Sequence, residues 1–313
     1  MASPPNASPP NASSHGAPRA NPSGPARPGR VHEVASPSNA IVKDIRRLVT
    51  HKRARDEADG FVCEGLKLAR DAAEGGWELR TLIVAKDARN RPGVAELSAR
   101  VVAAGGDVLE VSAKVMEAIA RRDNPAGVAA VVGRRLLPLG SIRAEGGDVW
   151  VALDRVRDPG NLGTVLRTVD AVGARGVILV GDCVDPFGIE AVRATMGSLF
   201  AVPLARCTEP EFLEWRLRWP GRVVGTHLEG AEDYRRISYR EGPQLVVMGN
   251  EQRGLSDALA AACDALALIP QERHRDGHGA GGADSLNLAV ATGVMLYEVR
   301  RHALAAPGSD GGA

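Results

Sequence analysis

The chain alternates short apolar runs with amphipathic segments of helical period, and this alternation occurs in two successive stretches of its 313 residues. Strands that alternate with helices predict α/β layers, in which helices cover a sheet. The length is enough for two domains of average size. No apolar run approaches the roughly 18 residues that cross a bilayer, so we expect no membrane partner.

Composition divides the chain into four predicted parts. Residues 1–38 contain nine of the 20 prolines and two copies of Ser-Pro-Pro-Asn-Ala, which predicts a disordered tail. Residues 39–140 give a first, small α/β domain. After a linker over 138–147, residues 141–307 give a second α/β domain with a parallel sheet. Residues 308–313 are predicted to be a second disordered tail.

The charge distribution and the spacing of the cysteines limit the classes of protein to which the chain can belong. Residues 39–140 carry a net charge of +4 and residues 141–313 a net charge of −5, so only the first domain is suited to a polyanion. The four cysteines form no C-x-x-C pair, which excludes a zinc ribbon and a disulfide scaffold. We therefore expect a protein of the reducing cytoplasm that holds no metal.

The first motif that can carry chemistry spans residues 154–167. It places Asn161 in the turn after an apolar strand and Arg167 six residues later, early in the following helix. Ligands collect at the carboxyl ends of parallel strands, so both side chains are predicted to lie at a site. An arginine can hold a phosphate through two hydrogen bonds, and an asparagine both donates to and accepts from a hydroxyl. The alternative is an ordinary Asp-Pro-Gly turn with a solvated arginine.

Two further motifs follow later strands. An apolar strand ends at Gly249, where a glycine allows a ligand to approach the backbone, and Glu251 is predicted to project into the same crevice. The alternative is a tight turn with an exposed carboxylate. The last helix is predicted to begin at Ser285, a natural N-cap, which leaves Asn287 in its first turn as a candidate site residue.

The insert at 271–284 contains a misleading pattern. Its glycines match G-x-G-x-x-G between a strand and a helix, as in dinucleotide-binding folds. The first of them lies seven residues beyond Pro270 and not at the end of the strand, so the tight strand–turn–helix is absent and a flexible loop is predicted. The glycine-rich context also argues against a metal on the two histidines. The residues concerned are Gly277, Gly279, Gly282, His274 and His278.

Taken together, the motifs resemble the SpoU/TrmH class of SPOUT methyltransferases. The matching segments are DPGNLGTVLRT (158–168), VVMGNEQRGLS (246–256), and Ile269-Pro270 followed by SLNLAVATGVMLYE (285–298). RATMGSLF (193–200) resembles a fourth family segment, and residues 41–132 resemble the small ribosomal-protein-like substrate domain that many members carry in front. The resemblance implies a knotted α/β domain, a homodimer, and methylation of a ribose 2′-hydroxyl of RNA by S-adenosylmethionine.

The resemblance also implies a set of site residues. The family's catalytic positions map onto Asn161, Arg167, Glu251, Ser285 and Asn287. Positions that hold S-adenosylmethionine map onto Gly249, Ile269 and Leu286, and Thr226 at the end of its strand is a further candidate. In this family the motifs are normally joined by a shorter linker than the 14 residues present here between Pro270 and Ser285, so this insert is expected to act as a lid or to bulge outward.

The chemistry suits these residue types. A sulfonium methyl group requires in-line attack by oxygen, so alignment supplies much of the rate acceleration. Arg167 is a poor base because the pKa of a guanidinium exceeds about 12. We therefore interpret Arg167 as the group that positions the adjacent phosphate and hydroxyl, with Asn161 orienting the ribose.

A basic helix is predicted over residues 41–55, at the start of the first domain. Such a run is usually a solvated face, but beside an RNA-modifying domain it favours contact with RNA phosphates. Its exposed cations are expected to be Lys43, Arg46, Arg47, Lys52 and Arg53, followed by Arg55.

The leading interpretation is methylation of ribosomal RNA, either as a housekeeping modification or as protection from an antibiotic that the same cell makes. Three alternatives remain: a tRNA 2′-O-methyltransferase, a non-catalytic RNA-binding protein on the same fold, and a dinucleotide-dependent oxidoreductase. Retention of all five catalytic positions argues against the second, and the placement of the glycines argues against the third.

Overall fold

The computed structural model describes residues 28–228, 231–239, 242–271 and 285–304. Its strands are β1 Val31–Val34, β2 Gly60–Glu64, β3 Leu79–Ala85, β4 Asp107–Val111, β5 Val128–Gly133, β6 Val149–Asp154, β7 Gly176–Val180, β8 Leu204–Cys207, β9 Arg222–Thr226, β10 Glu232–Asp233, β11 Gln244–Met248 and β12 Ala265–Leu268. Its helices are α1 Ala40–Thr50, α2 Lys52–Ala58, α3 Leu66–Glu74, α4 Val94–Ala103, α5 Ala113–Ala120, α6 Pro159–Val172, α7 Ile189–Ala194, α8 Glu209–Arg216, α9 Asp257–Ala261 and α10 Leu288–Leu304. The predicted tails over 1–27 and 308–313 and the predicted loop over 272–284, with its glycines and histidines, lie outside the described residues.

The first sheet has five strands in the order β1-β4-β3-β5-β2. Strands β1, β4 and β3 are parallel, whereas β5 runs antiparallel to both β3 and β2. The predicted α/β class is confirmed, but the predicted tail extends too far. Val31–Val34 pairs with β4, and the backbone N–H of Arg30 donates to Asp107 at 2.8 Å.

The predicted basic helix is two helices. The chain is extended at His51, which ends α1 and precedes α2. Asn39 caps α1 by accepting a hydrogen bond from the N–H of Ile41 at 2.9 Å. The hydrophobic face of α1 is buried against the sheet and α5, so its cations face outward.

The second sheet has seven strands, all parallel, in the order β10-β12-β9-β11-β6-β7-β8. Strands β7 and β11 are buried along their whole length and β6 everywhere except at Val149, as expected of a sheet with helices on both faces. The sequence analysis missed β8 and β10, which are short edge elements. The final helix α10 packs on α6 and on β11.

Helix α6 begins at Pro159, before Asn161, whereas the sequence analysis places Asn161 in the turn that precedes the helix. Asp158 is its N-cap and accepts from the N–H of Asn161 at 2.6 Å, with Pro159 in the first position. Asn161 therefore lies in the first turn of the helix rather than in a preceding turn. The helix ends at Gly173, whose φ of 70° suits glycine.

The two sheets are joined by a shared core. Phe61 and Trp77 of the first domain pack on Phe187 and Phe200 of the second, with Phe61 and Phe187 centroids 4.9 Å apart. The segment predicted to be the linker contains a 3-10 helix, Leu139–Ser141, and lies against the second domain. Within the described residues, no helix is both long and apolar enough to traverse a bilayer.

Candidate active site

The site lies at the carboxyl ends of β6, β9 and β11, where the start of α10 meets them. A cavity of about 730 Å³ opens there. It is lined by all of the predicted catalytic and cofactor residues except Arg167, namely Asn161, Thr226, Gly249, Glu251, Ile269, Ser285, Leu286 and Asn287. Residues more than 120 positions apart in the chain are thus brought together at the edge that the sheet rule predicts.

A chain of hydrogen bonds connects three of these segments. The side-chain amide of Asn287 donates to Oδ1 of Asn161 at 2.8 Å. Nδ2 of Asn161 donates to Oε1 of Glu251 at 3.1 Å, and Nδ2 of Asn250 donates to the carbonyl of Arg155 at 2.7 Å. The orientation of the Asn161 amide is therefore set by partners on both sides.

Asn287 also caps α10. Its Oδ1 accepts from the N–H groups of Ala289 at 2.9 Å and Val290 at 3.3 Å. The prediction that Ser285 is the N-cap is wrong, because the helix begins at Leu288. Asn287 lies at the site because it caps the helix, which leaves its amide group directed at Asn161.

The loop after β11 closes on itself. Oδ1 of Asn250 accepts from the N–H groups of Gln252 at 2.9 Å and Arg253 at 3.2 Å, and Asn250 and Gly254 exchange two backbone hydrogen bonds. A Cβ at Gly249 would lie 2.4 Å from the backbone of Gly254. Glycine is required there because the loop's own backbone returns to that point.

The floor of the site contains a buried charge pair that the sequence analysis missed. Asp154, 1% exposed, accepts from Nε and Nη2 of Arg155, each at 2.7 Å, and from the N–H of Ser256 at 3.0 Å. The bonds to Asp154 raise the pKa of the Arg155 guanidinium. Arg155 has a φ of 50°, a strained conformation of the kind that concentrates at functional sites.

A second cavity, of about 560 Å³, adjoins the first. The two cavities share a common wall formed by Asn161, Asn250, Glu251, Gln252 and Arg253. The second is lined on its other side by charged residues that follow β6, namely Arg155, Arg157 and Asp158. The site thus has two compartments that meet at the Asn161–Glu251 hydrogen bond.

Arg167 is not in either compartment. It is exposed on α6 and makes no hydrogen bond or ion pair within the part of the chain that the structure describes. Six helical positions rotate its side chain about 240° from that of Asn161, so the two point in different directions. Arg167 thus lines neither cavity of its own chain, and its part in the site stays a prediction.

The predicted RNA-binding cations are exposed on α1 and α2. Arg53 pairs with Glu57 at 2.7 Å and Lys52 with Asp56 at 3.6 Å. Arg55 differs from them, because its side chain is 7% exposed and pairs with Asp185 of the second domain at 2.7 Å. RNA contact by the exposed five, Lys43, Arg46, Arg47, Lys52 and Arg53, stays a prediction.

Several cavity residues were not singled out in the sequence analysis, although most of those after β11 and at the start of α10 lie within its quoted motifs. Most lie next to a predicted residue at a strand end, which is the signal that could have found them. They are His227, Leu228, Met248, Asn250, Gln252, Arg253, Gly254, Ala267, Gln271, Leu288 and Ala291. Across the described ranges, no cluster of His, Cys, Asp and Glu side chains could hold a metal ion.

Comparison with known proteins divides the chain at the same place as the two sheets. Residues 148–297 match the SpoU rRNA Methylase family, and residues 39–130 match the MRM3-like substrate binding domain. The chain is 32% identical over 273 residues to a 23S rRNA (uridine(2479)-2′-O)-methyltransferase of Streptomyces viridochromogenes, covering 84% of this chain and 90% of that protein. It is 30% identical over 269 residues to the 23S rRNA (guanosine(2553)-2′-O)-methyltransferase RlmP of Bacillus subtilis, covering 86% and 99%.

A solved structure has the same architecture along most of the chain. It is the AdoMet-bound rRNA methyltransferase from Sinorhizobium meliloti, with 52% identity and a TM-score of 0.79 over 87% of this chain and 98% of that one. The two domains, the parallel sheet with its site, and the matches along both halves lead to one conclusion: the chain belongs to the SpoU rRNA methylase family.

Proposed function

We propose that this protein is an S-adenosylmethionine-dependent RNA methyltransferase that acts on a ribose 2′-hydroxyl of ribosomal RNA. The observation that carries the proposal is the two-compartment site, in which Asn161, Glu251 and Asn287 meet at the common wall. One compartment suits a cofactor and the other an acceptor. Relatives named as 23S rRNA 2′-O-methyltransferases support ribosomal RNA as the substrate, and tRNA is the second candidate.

The larger cavity fits the cofactor. Its lining combines apolar side chains such as Ile269 and Leu286 with the backbone of Gly249 and the hydroxyl of Thr226. Such a mixture suits a ligand with an aromatic base and polar ends. We assign these four residues to binding S-adenosylmethionine, which supplies an electrophilic methyl group on a sulfonium.

The residues at the common wall orient the acceptor. Asn161 is fixed by Glu251 and Asn287, so its amide is preorganised to hold a ribose hydroxyl in line for attack. Ser285 lines the same cavity. No guanidinium serves as the base, because its pKa is too high. The hydroxyl proton leaves to a phosphate oxygen or to water.

A homodimer would bring Arg167 to the chemistry. Val290 and Tyr297 of helix α10 are 54% and 59% exposed, and Leu286, just before the helix, is 40% exposed, so together they form an exposed apolar row. A Cβ on Gly293 in this row would lie 3.8 Å from Thr168, the neighbour of Arg167. We assign this face of α10 and α6 to the dimer interface and Arg167 to the site of the partner copy. Val290→Glu should then yield a monomer by sedimentation that no longer transfers methyl groups.

The trefoil knot is also part of the proposal. Strand β12 lies beyond β9, whereas the later helix α10 packs back on β11 and α6. A chain that returns across the sheet in this way is consistent with the threaded ending of the family. The reduced thiols and the ribosomal substrate support a cytoplasmic location.

The proposal is tested by transfer of labelled methyl from S-adenosylmethionine to total RNA, followed by nuclease mapping. We expect label in a ribose of ribosomal RNA, and none with Asn161→Ala. Label in a ribose of tRNA would show that the substrate is tRNA and not ribosomal RNA. Label on a base would contradict methylation of a ribose hydroxyl. Cofactor binding without transfer to any RNA would favour the non-catalytic RNA-binding alternative.

A further inference from the structure

The smaller cavity contains charged groups that the assignment of cofactor and ribose does not use. Arg155 and Arg157 line it on the side of β6, and Arg253 belongs to the wall, with Asn161 and Glu251, that it shares with the larger cavity. We propose that this cavity receives the acceptor nucleotide and that Arg157 and Arg253 bind the two phosphates that flank it. This inference rests on the proposed function, since it names the groups of the RNA that the same site recognises.

The three arginines differ in how far they are committed to other partners. Arg155 is bound through two hydrogen bonds to the buried Asp154. Arg157 approaches Asp182 at 3.5 Å, but both side chains are exposed, by 67% and 82%, so their pairing is weak. The side chain of Arg253 is exposed and forms no hydrogen bond or ion pair with any described residue. Two guanidinium groups are therefore available to an anion.

Two carboxylates also line the cavity, and each has hydrogen-bond donors of its own. Asp158 accepts a hydrogen bond from the N–H of Asn161 at 2.6 Å and caps α6. Glu251 accepts from the side chains of Asn161 at 3.1 Å and Asn250 at 3.4 Å. Both carboxylates keep their charge but form no ion pair with Arg157 or Arg253, so the three arginines outnumber the two carboxylates in this cavity.

The arginines come from the two loops that the wall joins. Arg157 follows β6, four residues before Asn161, and Arg253 lies in the loop after β11, two residues beyond Glu251. Asn250 fixes both loops, since it accepts from the N–H of Arg253 and donates to the carbonyl of Arg155. A ribose at the wall has one phosphate on its 5′ side and one on its 3′ side. Arginine suits both because it binds phosphate through two parallel hydrogen bonds.

The test compares Arg157→Gln, Arg253→Gln and the double variant with Arg218→Gln. Arg218 is a matched control, since it is exposed and lies outside both cavities. The probe is an unmodified transcript of large-subunit ribosomal RNA, bound at several salt concentrations. We expect each cavity variant to raise Kd and KM about tenfold. Each should lower the salt slope of binding by about one.

Two further readouts separate a phosphate contact from a structural effect. S-adenosylmethionine affinity and kcat should stay near the wild-type values in Arg157→Gln, because Arg157 lines only the smaller cavity, whereas Arg253 lines both. Arg157→Lys and Arg253→Lys should restore the salt slope, since they keep the charge. Loss of cofactor affinity in Arg157→Gln, or failure of the Lys variants to restore the slope, would overturn the assignment.

The outcomes distinguish this inference from the proposed function. If the wild type methylates RNA but the double variant binds RNA with the same Kd and salt slope as Arg218→Gln, the phosphate assignment is wrong and the proposed function stands. If the wild type transfers no methyl group yet the cavity variants weaken RNA binding and lower the salt slope, the phosphate site stands and the function is wrong.

Discussion

At the scale of single residues, Asn287 shows how one side chain serves the fold and the site together. Its oxygen caps α10 while its amide nitrogen donates to Asn161. The cap fixes where the helix begins, and this in turn fixes the distance from Asn287 to the opposite helix. A residue that appeared dispensable for capping is therefore the one that performs it.

Substitutions of Asn287 separate these two roles. Asn287→Asp keeps the capping oxygens but cannot donate to Asn161 when ionised, so we expect stability near the wild type and slower methyl transfer. Asn287→Ala loses both the capping oxygen and the amide donor, so it should slow methyl transfer and also lower the free energy of unfolding by about 1 kcal/mol. Urea unfolding and single-turnover transfer measure the two effects. Full activity in Asn287→Asp would mean that its amide does not orient Asn161.

At the scale of elements, α6 is positioned by an unusually close contact with α7. A Cβ on Gly163 would lie 2.3 Å from Cβ of Ala194 and 2.7 Å from its carbonyl carbon. No side chain can be accommodated there without moving one of the helices. Because Asn161 lies one half-turn earlier on the same helix, the contact also sets the position of the site.

We predict that Gly163→Ala destabilises the protein by about 1–3 kcal/mol, because the overpacking exceeds the roughly 1 kcal/mol that alanine gains over glycine in a helix. Methyl transfer should fall as well. Gly160→Ala is the control, since its Cβ would meet only Oδ1 of Asp158, at 3.0 Å. Equal unfolding midpoints for the two variants would show that α6 and α7 can separate at little cost.

At the scale of the whole molecule, buried charges join the two domains. The Glu64 side chain of β2 is 3% exposed and accepts from Nε of Arg193 on α7 at 3.1 Å. It also meets Arg122 at 2.6 Å and accepts from the N–H of Ala126 at 3.1 Å. With Arg55 and the aromatic core, this contact holds the first domain against the second.

Glu64→Gln keeps the shape of the side chain and removes its charge. We expect the free energy of unfolding to fall by about 2 kcal/mol, as for a charged hydrogen-bond network that loses its anion. Thermal or urea unfolding measures this loss. Glu33→Gln, in an exposed pair with Lys86, is the control and should be unchanged. A Glu64→Gln protein as stable as this control would mean that the aromatic core alone fixes the domains.

Alkaline pH should also destabilise the whole molecule. Burial raises the pKa of the Cys63 and Cys207 thiols to about 12. A raised pKa means that the folded state binds the proton more tightly, so its stability is complete below the unfolded value near 9 and is lost as pH rises towards 12. Urea unfolding from neutral to alkaline pH measures the slope, which Cys207→Ala should make shallower. If the free energy of unfolding falls with pH as steeply in Cys207→Ala as in the wild type, the loss of stability at alkaline pH comes from other groups.

Much of the architecture follows from the sequence alone. The bounds of β3, β7, β9 and β11 agree with the apolar runs, because strands covered on both faces are continuously apolar. The same reasoning places Asn161 and Glu251 at one edge, since parallel strands end together. Their functional roles are implied by the family resemblance and stay predictions.

The tertiary structure decided what depends on distant partners. Val31–Val34 becomes a strand because β4 offers it an edge, and Arg55 is buried because Asp185 lies opposite. Arg167 points away from the cavity because helical rotation sets its direction. The sequence by itself determined the central strands and most of the helices, since apolar period is a local property. Only the folded chain could determine which polar side chain meets which, because those contacts join residues far apart along the sequence.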